Sequence, residues 1–556
     1  MPMRKEMLER TGRLRLQRVQ AAGALDRAYC PAAADTSNLA PDKAVPWQAF
    51  GVVSLILSLI AYVVSQTVTD PDLWGHVKFG QDIWRSGTVI QPDTYSYLTG
   101  DQPWINHEWL AEVIFAALFA LGGAPALILF KTGMVLVTLG LIYWHLTHHG
   151  MSILRGGIVL TLVAPIFAVG TFVLRPQIFT YLLFLTTLLV LDAADRGRSR
   201  WLWGLPPIFA LWVNLHGGFL AGMAAVIVWA SVRFLASFCR AVRTDWSVLR
   251  SERALMGSVV AGALATLVNP YGPRILDFLV KPATLVRPDI SEWQPTALAS
   301  ANGAVYLIPL ALAVVGLLYT TRERRPAPLV LFLCVAILPL LAFRHGPLLA
   351  IGVPMLAGEH IGSAWDRWSP QIRSDRRTLR QTKAERWLTA PAMTGAAVFV
   401  WLSLPNFRCI STLRPVSQGF PVKAIAMLRD SGASGNMAVF FDWGEYAIWH
   451  LSPRIKVSVD GRRETVYSDK ILAENWRFLT GVGAWDTLIG RQETHLALVP
   501  RDRPVFNLLK LSSAWVLVHE DSLGGLFARA GSAHIDRIRA TNVGWVPEDG
   551  NGMCFP

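Results

Sequence analysis

Between residues 48 and 404 the chain carries eleven apolar runs, near 48–68, 125–146, 153–174, 177–194, 201–215, 217–239, 254–271, 302–320, 328–343, 347–361 and 388–404. A bilayer core takes roughly 20 apolar residues per helix, so these runs predict membrane spans, with ends left soft by residues such as Pro206-Pro207. Only 16% of the 556 residues are charged, against about 25% in soluble domains. That composition excludes a soluble enzyme, a disordered chain and a disulfide-stapled secreted module. The net charge of +13 does not indicate nucleic acid, because the cations fall in short clusters between the apolar runs.

Those clusters set a topology. Arg196/Arg198/Arg200, Arg240/Arg243/Arg250/Arg253, Arg322/Arg324/Arg325 and the run from Arg367 to Arg386 occupy alternate loops. Placing them in the cytoplasm satisfies the positive-inside rule. The first 46 residues are then a basic cytoplasmic tail, with no signal peptide expected. Residues 47–405 form a multi-pass domain of the inner or plasma membrane, with outer loops at 69–124 and 272–300. Glu108–Gly122 would add a span and invert every later loop, so it is read as a helix lying in the outer interface.

Residues 406–556 alternate short β-rich runs (MAVFFDW, IKVSVDG, HLALVP, WVLVHE) with helical stretches. They predict a small extracytoplasmic α/β domain with a largely parallel sheet. The fold class is therefore a polytopic all-α membrane domain of about eleven spans followed by a small α/β domain. Cys409 and Cys554 bracket that domain in an oxidising compartment, where a disulfide would tie the C-terminus to the last span; Cys239 and Cys334 read as packing residues in or beside spans.

The first outer loop opens Asp70-Pro71-Asp72-Leu73-Trp74-Gly75-His76 and continues to Asn106-His107-Glu108-Trp109. Six acids there (Asp70, Asp72, Asp82, Asp93, Asp101, Glu108) meet two bases, Lys78 and Arg85. Acids at a membrane surface lose solvent and gain basicity, which suits a general base or a divalent-cation ligand. On composition alone the favoured reading is a solvated acidic loop, kept outside by its lack of Lys and Arg. Glu292 stands beside Trp293 in the second loop. Arg175, Arg274 and Arg344 stand at span ends on the same side, suited to bidentate phosphate binding or to snorkelling toward lipid phosphate. His216, in Asn214-Leu215-His216-Gly217-Gly218, sits where two spans turn.

Together these segments resemble the GT-C superfamily of membrane glycosyltransferases, the catalytic subunit of oligosaccharyltransferase above all. Asp72-Leu73-Trp74-Gly75-His76 resembles the D-x-x-x-H-type motif after the first span, and Gly87…Asp93-Thr94-Tyr95-Ser96-Tyr97 the stretch that follows it. Ile290-Ser291-Glu292-Trp293-Gln294-Pro295 resembles the S-V-S-E loop, and Phe440-Phe441-Asp442-Trp443-Gly444 the W-W-D-Y-G motif. The resemblance implies transfer of a sugar or oligosaccharide from a polyprenyl-phosphate-type carrier to a glycan, lipid or protein acceptor outside the cytoplasm. Asp72 would act on the acceptor, with Asp70, Glu108 and Glu292 as further catalytic candidates. Arg344 and Arg175 would face the phosphate, with His76, His107, His216, Arg274, Asp442 and Trp443 as binding candidates. A divalent cation (Mg or Mn) would sit on Asp72 and Glu292.

The departures are equally specific. Leu174-Arg175-Pro176-Gln177 stands where the family has paired acids, and Phe440-Phe441 replace two Trp. The first puts metal dependence in question and the second asparagine-glycan transfer. Val459-Asp460-Gly461-Arg462-Arg463-Glu464 reads as a solvated ion-pair turn or a substrate contact. A lipid-linked polysaccharide transporter and an inactive assembly partner are the readings outside catalysis.

Overall fold

The computed structural model describes residues 47–89, 92–100, 102, 104–243, 245–246, 252–276, 278–279, 290–368, 383–412, 419–544 and 553–556. The basic tail, Asp101 and the Arg373–Arg380 cluster lie outside them. Twelve α-helices lie between residues 47 and 403 among the described residues: α1 (Trp47–Ser65), α2 (Pro71–Ser86), α3 (Trp109–His148), α4 (Ile153–Gly170), α5 (Gln177–Asp195), α6 (Leu205–Trp212), α7 (Phe219–Arg243), α8 (Arg253–Ala265), α9 (Ala301–Tyr319), α10 (Pro326–Leu341), α11 (Gly346–Trp368) and α12 (Lys383–Ser403). Five of them, α3, α4, α5, α7 and α9, are long and apolar enough to cross a membrane.

The apolar runs are not equivalent. The run at 201–215 gives only a 3-10 turn and the eight-residue α6, about 12 Å of helix against a hydrocarbon core of about 30 Å. Pro206 and Pro207 are tolerated only in a first turn, so the helix starts there. By contrast α11 is buried without a break from Gly346 to Met355 and runs through the middle of the bundle. Cys239 and Cys334, expected to pack, are exposed on α7 and α10.

The segment 108–122 is helical, as its composition predicts, and continues into the run 125–146 as the 40-residue α3. Gly122 and Gly123 break its φ/ψ pattern. Gly123, at φ 63° and ψ −151°, is in a region that a side chain essentially forbids, so glycine permits the change of direction. Lys131, buried in α3, donates to the carbonyls of Gln66 and Thr171, just beyond the ends of α1 and α4. It satisfies carbonyls that helix ends leave unpaired.

Downstream, α13 (Val422–Asp430), α14 (Gly444–Leu451) and α15 (Asp469–Thr480) flank a five-stranded sheet ordered β2-β1-β3-β5-β4. The strands are β1 (Gly435–Val439), β2 (Ile455–Val457), β3 (Thr494–Pro500), β4 (Trp515–Glu520) and β5 (Gly524–Arg529). β1 pairs in parallel with β2 and β3, whereas β5 is antiparallel to both β3 and β4. The expected largely parallel sheet is therefore mixed. The turn between β4 and β5 is too short for a parallel crossover, and only a hairpin can be closed that tightly.

The segment after α2 belongs to this sheet. Ser96 bridges Val457 in parallel, Val457 N–H donates to Tyr95 at 2.9 Å, and Tyr97 N–H donates to Val457 at 3.3 Å. Cys409 and Cys554 form a disulfide, Cα to Cα 5.2 Å. Aromatic edges close the seam, with Trp74 of α2 4.4 Å from Phe420 and 5.0 Å from Tyr446.

Candidate functional site

Helix α2 positions the first residues. Asp70 is its N-cap, accepting the Asp72 N–H at 2.9 Å, and Pro71 opens the first turn. Gly87 ends the helix in a left-handed conformation with its N–H on the Ile83 carbonyl. Asp72 and His76 are four residues apart and share one face.

Arg175 lies between α4 and α5, and Pro176 behind it starts α5. Its guanidinium donates to Asp70 at 2.9 Å through Nε and to Glu292 at 2.7 Å through Nη1. Its Nη2 lies 3.6 Å from Asp72. Three carboxylates from two loops thus converge on one cation. A divalent cation does not fit among them while the guanidinium lies between.

Glu292 sits on a 3-10 turn, Ser291–Trp293, tied to a second, Phe343–His345, by the Phe343 N–H on the Gln294 carbonyl and by Thr296 on the Pro339 carbonyl. That pairing brings Arg344 to 3.8 Å from Glu292 and stacks it 4.4 Å over the Trp293 ring. Arg344 also donates to Gln177 at 3.4 Å. A groove starts here, polar at Gln177, Tyr181, Glu292 and Arg344 and apolar along Ile166, Val169, Pro339 and Pro347.

A second polar cluster adjoins α2. His76 meets Glu112 at 3.3 Å, and Glu112 also accepts from Asn106 in a short hydrogen bond. Burial alone would lower the His76 pKa, but the hydrogen bond to Glu112 and the charges of Glu108, Glu112 and Asp72 outweigh it and raise it to about 9. Glu108 lies 3.7 Å from His107 and 3.6 Å from His216. His216 accepts the Gly218 N–H at Nδ1 and lies 2.9 Å from Thr180 there. Burial pushes it down to about 3, so it is neutral and turns its Nε2 edge to Glu108.

Asp72 keeps 29% of its side chain accessible. Loss of solvent first and the neighbouring Asp70 second push its carboxyl up to about 7, against the pull of Arg175 and His76. Asp442 is near enough for its charge to act on Asp72. Its neighbour Trp443 faces inward, 3% exposed with its indole N–H on the Gly419 carbonyl. Trp443 therefore fills the core beside β1. Arg274 is exposed on the 271–276 turn and joins none of these contacts. The Asp460–Arg462 turn is buried rather than solvated. Arg462 donates to both Asp460 oxygens and to Asp93 at 2.8 Å, under the rings of Phe79, Tyr95 and Trp104.

Three residues were not legible in the sequence. Glu112 and Asn106 lie in an apolar helix start and beside a turn, with nothing in their spacing to mark them. Glu445 follows Gly444, is buried, and accepts the Gly75 N–H at 3.1 Å. A Cβ at Gly75 would collide with the Glu445 carboxylate, and one at Gly461 would collide with both Asp72 and Glu445. The two glycines let a second buried carboxyl approach Asp72. Burial and the Asp72 charge raise the Glu445 pKa.

No protein-family model matches the chain, and no curated protein matches it in sequence. Among solved structures, the archaeal oligosaccharyltransferase AglB from Archaeoglobus fulgidus, in complex with an inhibitory peptide and a dolichol-phosphate, superposes with a TM-score of 0.51 at 12% identity. That match covers 81% of this chain and 69% of AglB. ArnT from Cupriavidus metallidurans, bound to undecaprenyl phosphate, gives 0.49 at 12% identity over 88% of this chain and 99% of its own. The chain therefore shares its fold with AglB.

Proposed function

We propose that the protein is an integral membrane glycosyltransferase that moves a sugar or oligosaccharide from a polyprenyl-phosphate-type carrier to an acceptor on the extracytoplasmic face. In this reading residues 47–405 are the membrane domain and 406–556 the extracytoplasmic domain. The observation that carries it is Arg175 holding Asp70, Asp72 and Glu292 together at the polar head of an apolar groove that also presents Arg344. In this reading the first isoprene units of the carrier lie against the apolar lining and its phosphate against Arg344.

Asp72 is the general base. It takes the proton of the acceptor hydroxyl as that oxygen attacks the anomeric carbon, and the bond to the carrier phosphate breaks on the opposite face. Arg344 stabilises the charge growing on the leaving phosphate, a contact stronger in the transition state than before it. Arg175 is a positioning residue that supplies the positive charge a divalent cation would otherwise bring to Asp72 and Glu292. With Phe440-Phe441 in place of the two Trp that would read an asparagine sequon, a lipid or polysaccharide acceptor suits the site better than a peptide.

The test is carrier binding. Purified protein in nanodiscs is incubated with a photoreactive undecaprenyl phosphate, and labelled peptides are mapped. Labelling within α4, α10 and the start of α11, reduced about tenfold or more by Arg344→Ala, supports the reading. Labelling spread evenly over the lipid-facing helices, with no effect of Arg344→Ala, overturns it.

A further inference from the structure

The helices that begin at the Asp72 site gather a different set of side chains at their other ends. α5 starts at Gln177, which accepts from Arg344, and reaches Asp192 four turns on, about 22 Å along the axis. α3 and α11 run the same way and bring His145, His149 and Glu359 there. We propose that His145, His149 and Asp192 form a binding site for a divalent transition metal, zinc foremost, far from the transfer site.

The geometry is that of a metal centre with its supporting contacts. His145 and His149 stand four residues apart in the last turn of α3 and beyond it, so both rings project to one side, as in helical zinc-binding His pairs. One donor atom from each of His145, His149 and Asp192 lies within 4.8 Å of the other two. Ligands of a tetrahedral zinc ion stand about 3.4 Å apart, so side-chain rotations of about an ångström close the set. His149 Nε2 already faces Asp192 at 3.4 Å, while Nδ1 faces Glu359 at 3.6 Å. A ligating histidine characteristically presents its other nitrogen to a carboxylate in this way.

His145 is 3% exposed and makes no side-chain hydrogen bond among the described residues, yet it lines a cavity of about 190 Å³ with His149 and Glu359. A cation entering that cavity would come within reach of the His145 ring. Asp192 accepts from Arg196 at 2.8 Å and lies 3.6 Å from Arg325, and Arg196 also pairs closely with Glu359. These guanidiniums hold the carboxylates in place, as the outer contacts of a ligating carboxylate do. Two nitrogens and a carboxylate oxygen select zinc over magnesium or calcium.

The test uses the full chain without an affinity tag, stripped with chelator, loaded with Zn²⁺ alone and desalted before metal analysis. One zinc per chain is expected, with affinity at least about tenfold lower in His149→Ala and Asp192→Asn. His148→Ala, an exposed neighbour, should retain the zinc. Asp72→Asn should also retain it, so the result is independent of the transferase reading. Equal retention by wild type and both ligand variants, or none by wild type, overturns the site. Should the variants fold poorly, the Co²⁺-loaded wild type decides: an intense tetrahedral visible spectrum supports the site, and a weak hexa-aqua-like one overturns it.

Discussion

Asp72 and His76 titrate on either side of neutrality, and their order sets the pH behaviour. A base is competent only once deprotonated, so activity should rise with pH through about 7, where Asp72 ionises. It should fall again near 9 as His76 loses the proton that pairs it with Glu112. Arg175→Gln removes the cation that holds the Asp72 pKa down, so the acidic limb should move upward and the maximum shrink; a pH–rate profile of carrier consumption reads both. His76 also links to stability. Its folded pKa lies above its ordinary 6.5, so its contribution is complete below 6.5 and lost as pH rises through about 9. The Tm gap between wild type and His76→Gln should accordingly be widest below pH 6.5 and close by about pH 9. The short motifs made Asp72, His76, Glu292 and Arg344 legible, because their chemistry repeats in order along the chain. Glu112 and Glu445 were not, since each is one acid in an unremarkable segment and gains meaning only from what packs against it.

Elements obey local rules that the sequence states well, and pairing rules that it states poorly. The N-cap Asp70, the terminator Gly87 and the Pro206-Pro207 start are readable residue by residue. The partner of the 94–97 segment is not, because an edge strand joins whatever edge lies beside it. Arg462 joins that segment to the sheet through Asp93, with all three charges buried. Breaking such a pair leaves an unpaired buried charge and costs about 3–5 kcal/mol. Asp93→Asn should therefore lower Tm strongly and open the 92–100 segment to protease, while Asp430→Asn, an exposed partner of Arg429, should do neither. In α3, Gly123→Ala must adopt a backbone conformation that costs about 1–3 kcal/mol. Thermal unfolding should show that loss, and the same change at Gly133, where a Cβ meets nothing within 4 Å, should be neutral or stabilising.

For the whole molecule, the two parts predicted from composition are joined more closely than the sequence suggests. Hydropathy and charge alternation describe helices one at a time. They cannot show that α2 and the 94–97 segment pack on the sheet while α11 fills the centre of the bundle. In that arrangement Asp72 stands on α2 with Arg175, between α4 and α5, 3.6 Å away, and Glu445 of α14 is near enough to feel its charge. The central claim is that this carboxylate removes the acceptor's proton. Membranes with matched amounts of wild type and Asp72→Asn, compared by mass spectrometry of the host's polyprenyl-linked sugars, test it directly. Loss of a general base costs about 10²–10⁴-fold, so wild type should deplete one carrier species that accumulates in the variant. Identical profiles for every carrier species would contradict a catalytic Asp72.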